Sequence, residues 1–462
     1  MIKKIIAAAV AGVVFIGAST VISAPTQQPP SRQEIFAQFL AVRAVDSIVN
    51  TNVFPFDELP VLTYPHSAGV LSHQFVQQGL AEANFVRFLA GLPGDLVLDT
   101  SMNRHGQHGA VLLASEVQLT HSPPRPENMN ERFFEQAFRG TSTGNLSWGA
   151  NSLWEAIRAY MHNSDRNGIS HLGHRRWILN PQLQRVGFGF ANRFASMHVL
   201  DTSRRGTFAF DTIAWPAAGN FPVEYMAGSQ AWSLSLNPLI YDNTRISNIE
   251  VSLTRRTDGR TWQFSANDND TDGQFFNVST HGFGVPFCII FRPDGIYNYN
   301  PRDSFLVEVT GVYRIDGQRT TITYEVDFFR LFGKIVMRLA DDNATEIVGS
   351  RNQTFNLGAA PVIDEESGRT LVPLQSVVER MGGAVSFNEA TQAIAVIFQD
   401  RTVQMWVGQF GVLVNGEALG IDVAPQVIDG AIMVPVRAVE HLGAHVHWNG
   451  TAQSITVVYL PY

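Results

Sequence analysis

A short stretch with two histidines, two arginines and a tryptophan is the densest group of reactive side chains in the sequence. It covers residues 170–181, and its histidines are His171 and His174. If the stretch is helical, the two imidazoles lie one turn apart on one face, which suits a shared ion or substrate. Alternatively, Trp177 and its apolar neighbours are core and the histidines only cap or hydrogen-bond. Spacing alone leaves both interpretations open, and Pro181 predicts where the segment ends.

The elements around this stretch must position it, and their patterns are mixed. Apolar residues recur at helical spacing in residues 74–90, 100–117, 131–138 and 152–162, and Asp99 is placed to cap the second of these helices. Residues 185–190 alternate small and aromatic side chains, which predicts a strand. Eight of the thirteen histidines fall between residues 73 and 198. The block therefore indicates an α+β or three-layer domain with a polar site.

Length and charge limit the classes of function. At roughly 150 residues per domain, the 462 residues predict about three domains. Apolar residues make up 45% and charged residues 16%, so the chain is neither disordered nor strongly charged. The formal charge of −8 gives no overall attraction to nucleic acid, and we exclude nucleic-acid binding on that ground.

The N-terminus has the pattern of an export signal. Lys3 and Lys4 precede an apolar run at residues 5–22, and small residues follow it. We assign residues 1–24 as a signal peptide and predict a secreted or cell-surface protein. Pro25 makes cleavage after Ala24 unfavourable, so an uncleaved segment acting as a membrane anchor remains the alternative. The single cysteine, Cys288, lies in an apolar run and indicates a buried residue.

The other regions differ from this block in pattern. Residues 25–71 read as a linker followed by a helix at residues 34–49. From residue 214 to 333, short alternating runs separated by turn signals predict a β-sandwich. Residues 334–462 contain an internal repeat, in which Val372-Pro373 is answered by Val434-Pro435. Each copy predicts a short helix followed by a β-hairpin, and two copies are expected to pack together because neither can bury an adequate core alone.

Residues 72–213 resemble the CAP superfamily, the cysteine-rich secretory, antigen 5 and pathogenesis-related-1 group, in a cysteine-free bacterial form. The segments that carry the resemblance are Ala83-Asn84-Phe85-Val86-Arg87, Gly91-Leu92-Pro93, Leu119-Thr120-His121, Gly144-Asn145-Leu146-Ser147-Trp148-Gly149, Gly173-His174-Arg175-Arg176 and Val186-Gly187-Phe188-Gly189. The resemblance implies an α-β-α sandwich with a cleft lined by two histidines and two acidic residues, which binds zinc in some members.

Carried over to this sequence, the two histidines of the cleft are His121 and His174, the candidate ligands of a metal or small molecule. Asn145 and His171 are further candidate ligand-binding residues. Gly144 stands where the family has one acid, and Asn163 stands where it has the other. Glu155 is then the candidate catalytic base, if its helix face turns toward the cleft. A hydrolytic metal site usually has three protein ligands and a base, so these replacements favour binding over catalysis.

The duplicated C-terminal region is similar to the copper amine oxidase N-terminal-like, or stalk, domain of exported bacterial proteins. The resemblance implies an interaction or presentation module and no oxidase activity, because the motif that yields the oxidase cofactor is absent from the sequence. The expected function is extracellular or surface binding of a ligand or cell-wall component, with zinc as the candidate cofactor. The alternatives are a zinc-dependent hydrolase acting on peptide or cell-wall material and a structural wall protein with a vestigial cleft.

Overall fold

The computed structural model describes three stretches of the chain, residues 28–42, 53–205 and 209–461. The export signal expected at residues 1–24 lies outside them, as do residues 43–49 of the first expected helix. Within the described stretches, no helix combines the length and the apolar character needed to cross a membrane.

The first helix, α1 (Arg32–Val42), begins with a reciprocal cap. The Glu34 N–H donates to Ser31 Oγ at 3.2 Å, and the Ser31 N–H donates to Glu34 Oε2 at 2.7 Å. This capping box satisfies two donors at the start of the helix. The helix buries Phe39, whose ring stacks on Phe332 with centroids 5.4 Å apart. The predicted helix therefore forms part of the main core.

Helices and short strands are mixed through the next 150 or so residues, in agreement with the predicted α+β class. The elements are β1 (Phe56–Glu58), β2 (Val70–Leu71), α2 (His73–Leu89), β3 (Val97–Leu98), α3 (Thr100–Glu116), α4 (Glu131–Ser142), β4 (Gly144–Trp148), α5 (Leu153–His162), α6 (Gly173–Ile178), β5 (Arg185–Ala191) and β6 (Phe194–His198). The four helices expected in this block are all present. Asp99 caps α3 as predicted, because its carboxylate accepts two N–H groups of the first turn.

This N-terminal unit has helices on both faces of a four-stranded sheet of order β3-β5-β6-β4. On one face, apolar residues of α3 cluster with Leu146, Ala191 and Phe194 of the strands. On the other face, residues of α2 and α5 share a larger cluster with Phe188 and Phe190. Alternate residues of β5 therefore face opposite helix layers, which is the physical basis of the small and aromatic alternation in the sequence.

Glycines let α3 approach β5 closely. A Cβ atom built on Gly189 would lie 2.0 Å from the carbonyl oxygen of Gly106 in α3. The helix and strand are also joined by side-chain amides, since Gln107 Oε1 accepts the Phe190 N–H at 2.8 Å and its Nε2 donates to the Phe190 carbonyl at 3.1 Å. The face of β5 that packs against α3 therefore needs small residues, because the two backbones are in contact there.

We expect Gly189→Ala to lower the free energy of unfolding by at least about 2 kcal/mol, because the added methyl group must push two backbones apart. Urea denaturation measures the change. Gly282→Ala is the matched control, since a Cβ atom at Gly282 meets nothing within 4 Å. Equal denaturation midpoints for the two variants would show that α3 and β5 can move apart at little cost in stability.

The middle region consists of two sheets packed face to face. Its strands are β7 (Thr212–Trp215), β8 (Gly219–Pro222), β9 (Trp232–Leu236), β10 (Glu250–Arg255), β11 (Thr261–Phe264), β12 (Phe275–Ser279), β13 (Cys288–Arg292), β14 (Ser304–Tyr313) and β15 (Arg319–Phe329). The sheet orders are β11-β10-β14-β15-β8 and β12-β13-β9-β7. Trp232 of the second sheet contacts Phe305 and Phe328 of the first, with ring centroids 5.6 and 6.1 Å apart. Cys288 is buried, as its apolar surroundings indicated.

One apolar core runs across the boundary expected at residue 214. It extends from Ile35 in α1 to Leu331, just after β15, and includes side chains of α2, α5 and both sheets of the sandwich. Val458 and Leu460, near the C-terminal end of the chain, also belong to it. The N-terminal unit and the sandwich therefore bury apolar surface against each other, and neither closes its core alone.

Most buried apolar residues of the C-terminal unit form a second core, between Ile335 and Tyr459. Its elements are β16 (Gly333–Arg338), β17 (Asn343–Val348), β18 (Arg351–Asn356), β19 (Val362–Ile363), β20 (Thr370–Pro373), α7 (Leu374–Met381), β21 (Ala384–Asn388), β22 (Ala393–Phe398), β23 (Arg401–Trp406), β24 (Gly411–Val414), β25 (Glu417–Gly420), β26 (Gln426–Ile428), β27 (Ala431–Pro435), a 3₁₀ helix (Val436–Leu442), β28 (His445–Asn449) and β29 (Ser454–Tyr459). Both predicted hairpins, β21-β22 and β28-β29, are present.

The two repeats exchange strands. The first repeat comprises β16 to β22 and the second β23 to β29. In one five-stranded sheet, β29 of the second repeat pairs with β16, and the order is β18-β17-β16-β29-β28. In the other, β22 of the first repeat pairs with β23, and the order is β21-β22-β23-β24-β25. Between these sheets β20 and β27 run antiparallel, and Val372 lies opposite Val434, its counterpart in the repeat. Each five-stranded sheet therefore needs both repeats, which gives a physical reason for the duplication.

Candidate functional site

His121 and His174 face each other in the N-terminal unit. His121 lies in the segment between α3 and α4, and His174 lies in the first turn of α6. Their ring centroids are 6.4 Å apart, with an angle of 55° between the ring planes. Two imidazoles more than fifty positions apart in the sequence thus share one locality.

Amide side chains hold the backbone of His174 from two directions. The His174 N–H donates to Asn163 Oδ1 at 3.0 Å, and Asn145 Nδ2 donates to the His174 carbonyl oxygen at 2.9 Å. Asn163 ends α5 in the left-handed conformation, with φ of 36°, which asparagine tolerates better than most residues. Asn145, a predicted ligand-binding residue, is buried and positions His174.

A buried tyrosine supports the His174 ring. The Tyr160 ring meets the imidazole edge to face, with centroids 5.4 Å apart. Its hydroxyl donates to the Ala195 carbonyl oxygen at 3.1 Å and accepts from Ser147 Oγ at 3.3 Å. Burial raises the pKa of Tyr160, so its hydroxyl stays protonated and neutral. The sequence pattern placed Tyr160 on the apolar stripe of its helix without indicating this contact.

His121 is held from its Nδ1 side. That atom lies 2.9 Å from the carbonyl oxygen of Thr141, near the end of α4. Because a carbonyl oxygen only accepts, we assign the proton to Nδ1, which leaves the Nε2 lone pair available. Metal-binding histidines typically donate the N–H of the ring nitrogen that does not bind the metal to such an acceptor, which fixes the tautomer. His121 is also exposed to solvent, so a ligand can reach it.

His174 is uncharged at neutral pH. Burial, followed by the proximity of His121, lowers the pKa of His174 to about 4, and Asp165 opposes the shift. A neutral imidazole has a lone pair that can bind a divalent cation or accept a proton. The arrangement can therefore act as a two-nitrogen ligand or as a hydrogen-bonding pair.

The side chains around the pair limit the kind of metal site. Among the described residues, no group of three or more His, Cys, Asp or Glu side chains is arranged to hold a metal ion. A closed structural zinc site with four protein ligands therefore does not fit His121 and His174. Two imidazoles fit a more weakly held ion whose remaining positions are open to water or ligand.

Glu155, the candidate base, belongs to the start of α5. Its carboxylate accepts the Asn151 N–H at 2.7 Å and Asn151 Nδ2 at 3.2 Å, while its own N–H donates to Ser152 Oγ at 3.2 Å. These bonds are those of a helix N-terminal cap. The carboxylate thus has a structural role in α5, and its contacts give no support to a role as a base.

His171 and His174 do not share a helical face, so the condition for a site on one helix face is not met. The helix begins only at Gly173, and Leu172 before it adopts the left-handed conformation with φ of 48°. This turn directs His171 toward the sandwich, where its ring centroid lies 4.6 Å from that of His281 and 5.6 Å from that of Phe283. The candidate ligand His171 therefore belongs to a second cluster.

Comparison with known proteins identifies part of the chain. The model of the copper amine oxidase N-terminal domain family matches residues 350–457, which confirms the predicted copper amine oxidase N-terminal-like domain. The structural unit begins earlier, because β16 and β17 pair within its first sheet. No curated protein matches the chain.

Among solved structures, one similar chain is an uncharacterized protein from Listeria monocytogenes, in complex with glucose, magnesium and calcium. The match has 10% sequence identity and a TM-score of 0.14, and it covers 41% of this chain. The chain spans only 17% of the length of that protein.

Proposed function

We propose that the chain is an exported bacterial protein with a CAP-like N-terminal unit, and that it acts in binding outside the cell or at its surface. His121 and His174 hold a divalent metal ion or a small ligand in this proposal. The C-terminal unit acts as an interaction or presentation module. The partner is an extracellular ligand or a cell-wall component.

The observation that carries the proposal is the convergence of the two imidazoles. Their centroids are 6.4 Å apart, and each residue is fixed by a separate hydrogen bond to its backbone or ring. Helices on both faces of one sheet, the layering that the resemblance implies, support the CAP-like assignment. The depressed pKa of His174 keeps a lone pair available at neutral pH.

Binding is better supported than hydrolysis. Gly144 places no carboxylate beside the pair, and Glu155 caps α5. Hydrolysis at a metal usually requires three protein ligands and a base. The two imidazoles provide only two ligands and leave no separate group to act as the base. A structural protein with a vestigial cleft would have the same fold and would not bind an ion.

Zinc titration by calorimetry tests the proposal. It should use the full chain, because the N-terminal unit shares its core with the sandwich. We expect wild type to bind one zinc ion per chain, and His121→Ala and His174→Ala each to weaken binding at least about tenfold through loss of a direct ligand. His73→Ala, at the exposed start of α2, is the matched control. Equal affinities in all four proteins would exclude the histidine pair as the ion site, and no uptake by wild type would favour the vestigial cleft.

A further inference from the structure

A second cleft opens at the N-terminal end of α4, whereas Thr141, which contacts His121, lies near the C-terminal end of that helix. Its volume is about 380 Å³, which is within the range of small-molecule sites. It lies between α3 and the start of α4, and its lining residues are Arg104, His108, Asn130, Arg132, Phe133 and Gln136. His121 and His174 are not among them, so this cleft is distinct from the histidine pair.

The cleft carries positive charge that the protein does not neutralise. Its lining includes two guanidinium groups, Arg104 and Arg132, and no carboxylate. Neither arginine forms an ion pair with any residue in the described stretches of the chain. The pKa of the neighbouring His105 is lowered first by burial and then by the positive charges of Arg104 and Arg139. The charge of Arg104 therefore acts on the groups beside the cleft. An anion entering the cleft would therefore meet two cations without displacing an internal partner.

The rest of the lining supplies apolar and amide groups. The Phe133 ring lies against His108, with centroids 4.6 Å apart, and against His66, at 5.9 Å. Asn130 caps α4, since its Oδ1 accepts the Phe133 N–H at 3.3 Å. Asn130 and Gln136 add amide groups beside the aromatic surface. The cleft thus offers cations, an aromatic wall and amide hydrogen-bonding groups within one small volume.

We propose that this cleft binds a small carboxylate with an apolar side group, such as the free C-terminal end of a peptide. A planar guanidinium group can bind a carboxylate through two parallel hydrogen bonds. This geometry favours a carboxylate over an anion that offers only one acceptor atom. The Phe133 ring packs against the apolar group, and the amides of Asn130 and Gln136 bond to polar atoms of the ligand. A peptide end and a free organic acid share this chemistry, and the two sources are separated by experiment.

Calorimetry on the full chain tests the proposal with three probes. N-acetyl-alanyl-leucine has a free carboxylate, its C-terminal amide lacks the charge, and 4-methylpentanoate keeps the charge and the apolar group without peptide bonds. We expect the amide to bind at least about tenfold more weakly than the acid, which corresponds to the loss of one charge-assisted pair. Tighter binding of the dipeptide than of 4-methylpentanoate identifies a peptide end, and equal binding identifies a free acid.

Arginine variants connect the binding to the cleft. Arg104→Gln and Arg132→Gln should each weaken binding of N-acetyl-alanyl-leucine at least about tenfold. Arg139→Gln is the matched control, because Arg139 is on the same helix and outside the lining. Both lining arginines are exposed, so thermal melting should be nearly unchanged and folding defects do not confuse the result. The proposal is overturned if wild type binds none of the probes, if the amide binds as well as the acid, or if the two lining variants bind like wild type.

Discussion

Replacing Arg175 by methionine is expected to destabilise the N-terminal unit and the sandwich together, by at least about 4 kcal/mol. The Arg175 side chain is 0% exposed. Its guanidinium donates four hydrogen bonds, to Met161 O at 2.6 Å, Ala231 O at 2.7 Å, Ser233 Oγ at 3.0 Å and His162 O at 3.1 Å. Burial lowers its pKa to about 9, so the group remains charged at neutral pH.

The size of the effect follows from what methionine leaves behind. Methionine fills much of the aliphatic volume but donates no hydrogen bond, so buried carbonyl groups from both units lose their partner. The acceptors lie on α5 in the N-terminal unit and at β9 in the sandwich, so one side chain joins the two. Urea denaturation followed by circular dichroism measures the loss.

Arg166→Gln is the matched control for this prediction. Arg166 also joins the two units, through an ion pair with Asp272, but both side chains are more than half exposed. Exposed ion pairs contribute little to stability, so the midpoint of unfolding should hardly move. If Arg175→Met behaved like Arg166→Gln, the hydrogen bonds of the buried arginine would contribute little to the stability of the two units.

The second large effect is expected for Glu346→Ala in the C-terminal unit, at roughly 3 kcal/mol. Glu346 lies on β17 and its side chain is 3% exposed. It accepts the Tyr459 hydroxyl at 2.6 Å and pairs with Arg351 and Arg380, each at 2.8 Å. Tyr459 lies on β29 in the second repeat, so the carboxylate ties the two repeats together where they exchange strands. Its removal leaves a buried hydroxyl and a largely buried guanidinium without their shared acceptor.

Hydrogen exchange monitored by mass spectrometry locates this effect. Protection should fall in β16, β17 and β29 and remain in α2 and α5, because Glu346 lies beside the second core and α2 and α5 belong to the main one. Arg351→Ala provides the comparison, since its side chain is 61% exposed and its loss leaves Glu346 paired with Arg380 and Tyr459. A uniform loss of protection over the whole chain would show that the two cores unfold as one.

Local patterns predicted the elements well, and they failed where the backbone leaves regular conformations. Helical spacing and the Asp99 cap gave the helix that begins at Thr100, and the C-terminal repeat gave both hairpins. The pattern failed at Leu172, which adopts positive φ although leucine seldom does. Thr141 was missed as well, because it contacts His121 through its carbonyl oxygen, which every residue possesses.

The sequence by itself determined the α+β class, the repeat in the C-terminal region and, through resemblance, the two histidines of the candidate site. These properties are encoded in short-range spacing and in combinations of motifs. Only the tertiary structure decided that Glu155 caps a helix, that His171 joins the sandwich, that Arg175 links two units through one core, and that the repeats exchange strands. These features depend on contacts between distant segments, where the partner of a polar side chain is set by packing geometry rather than by its sequence neighbours.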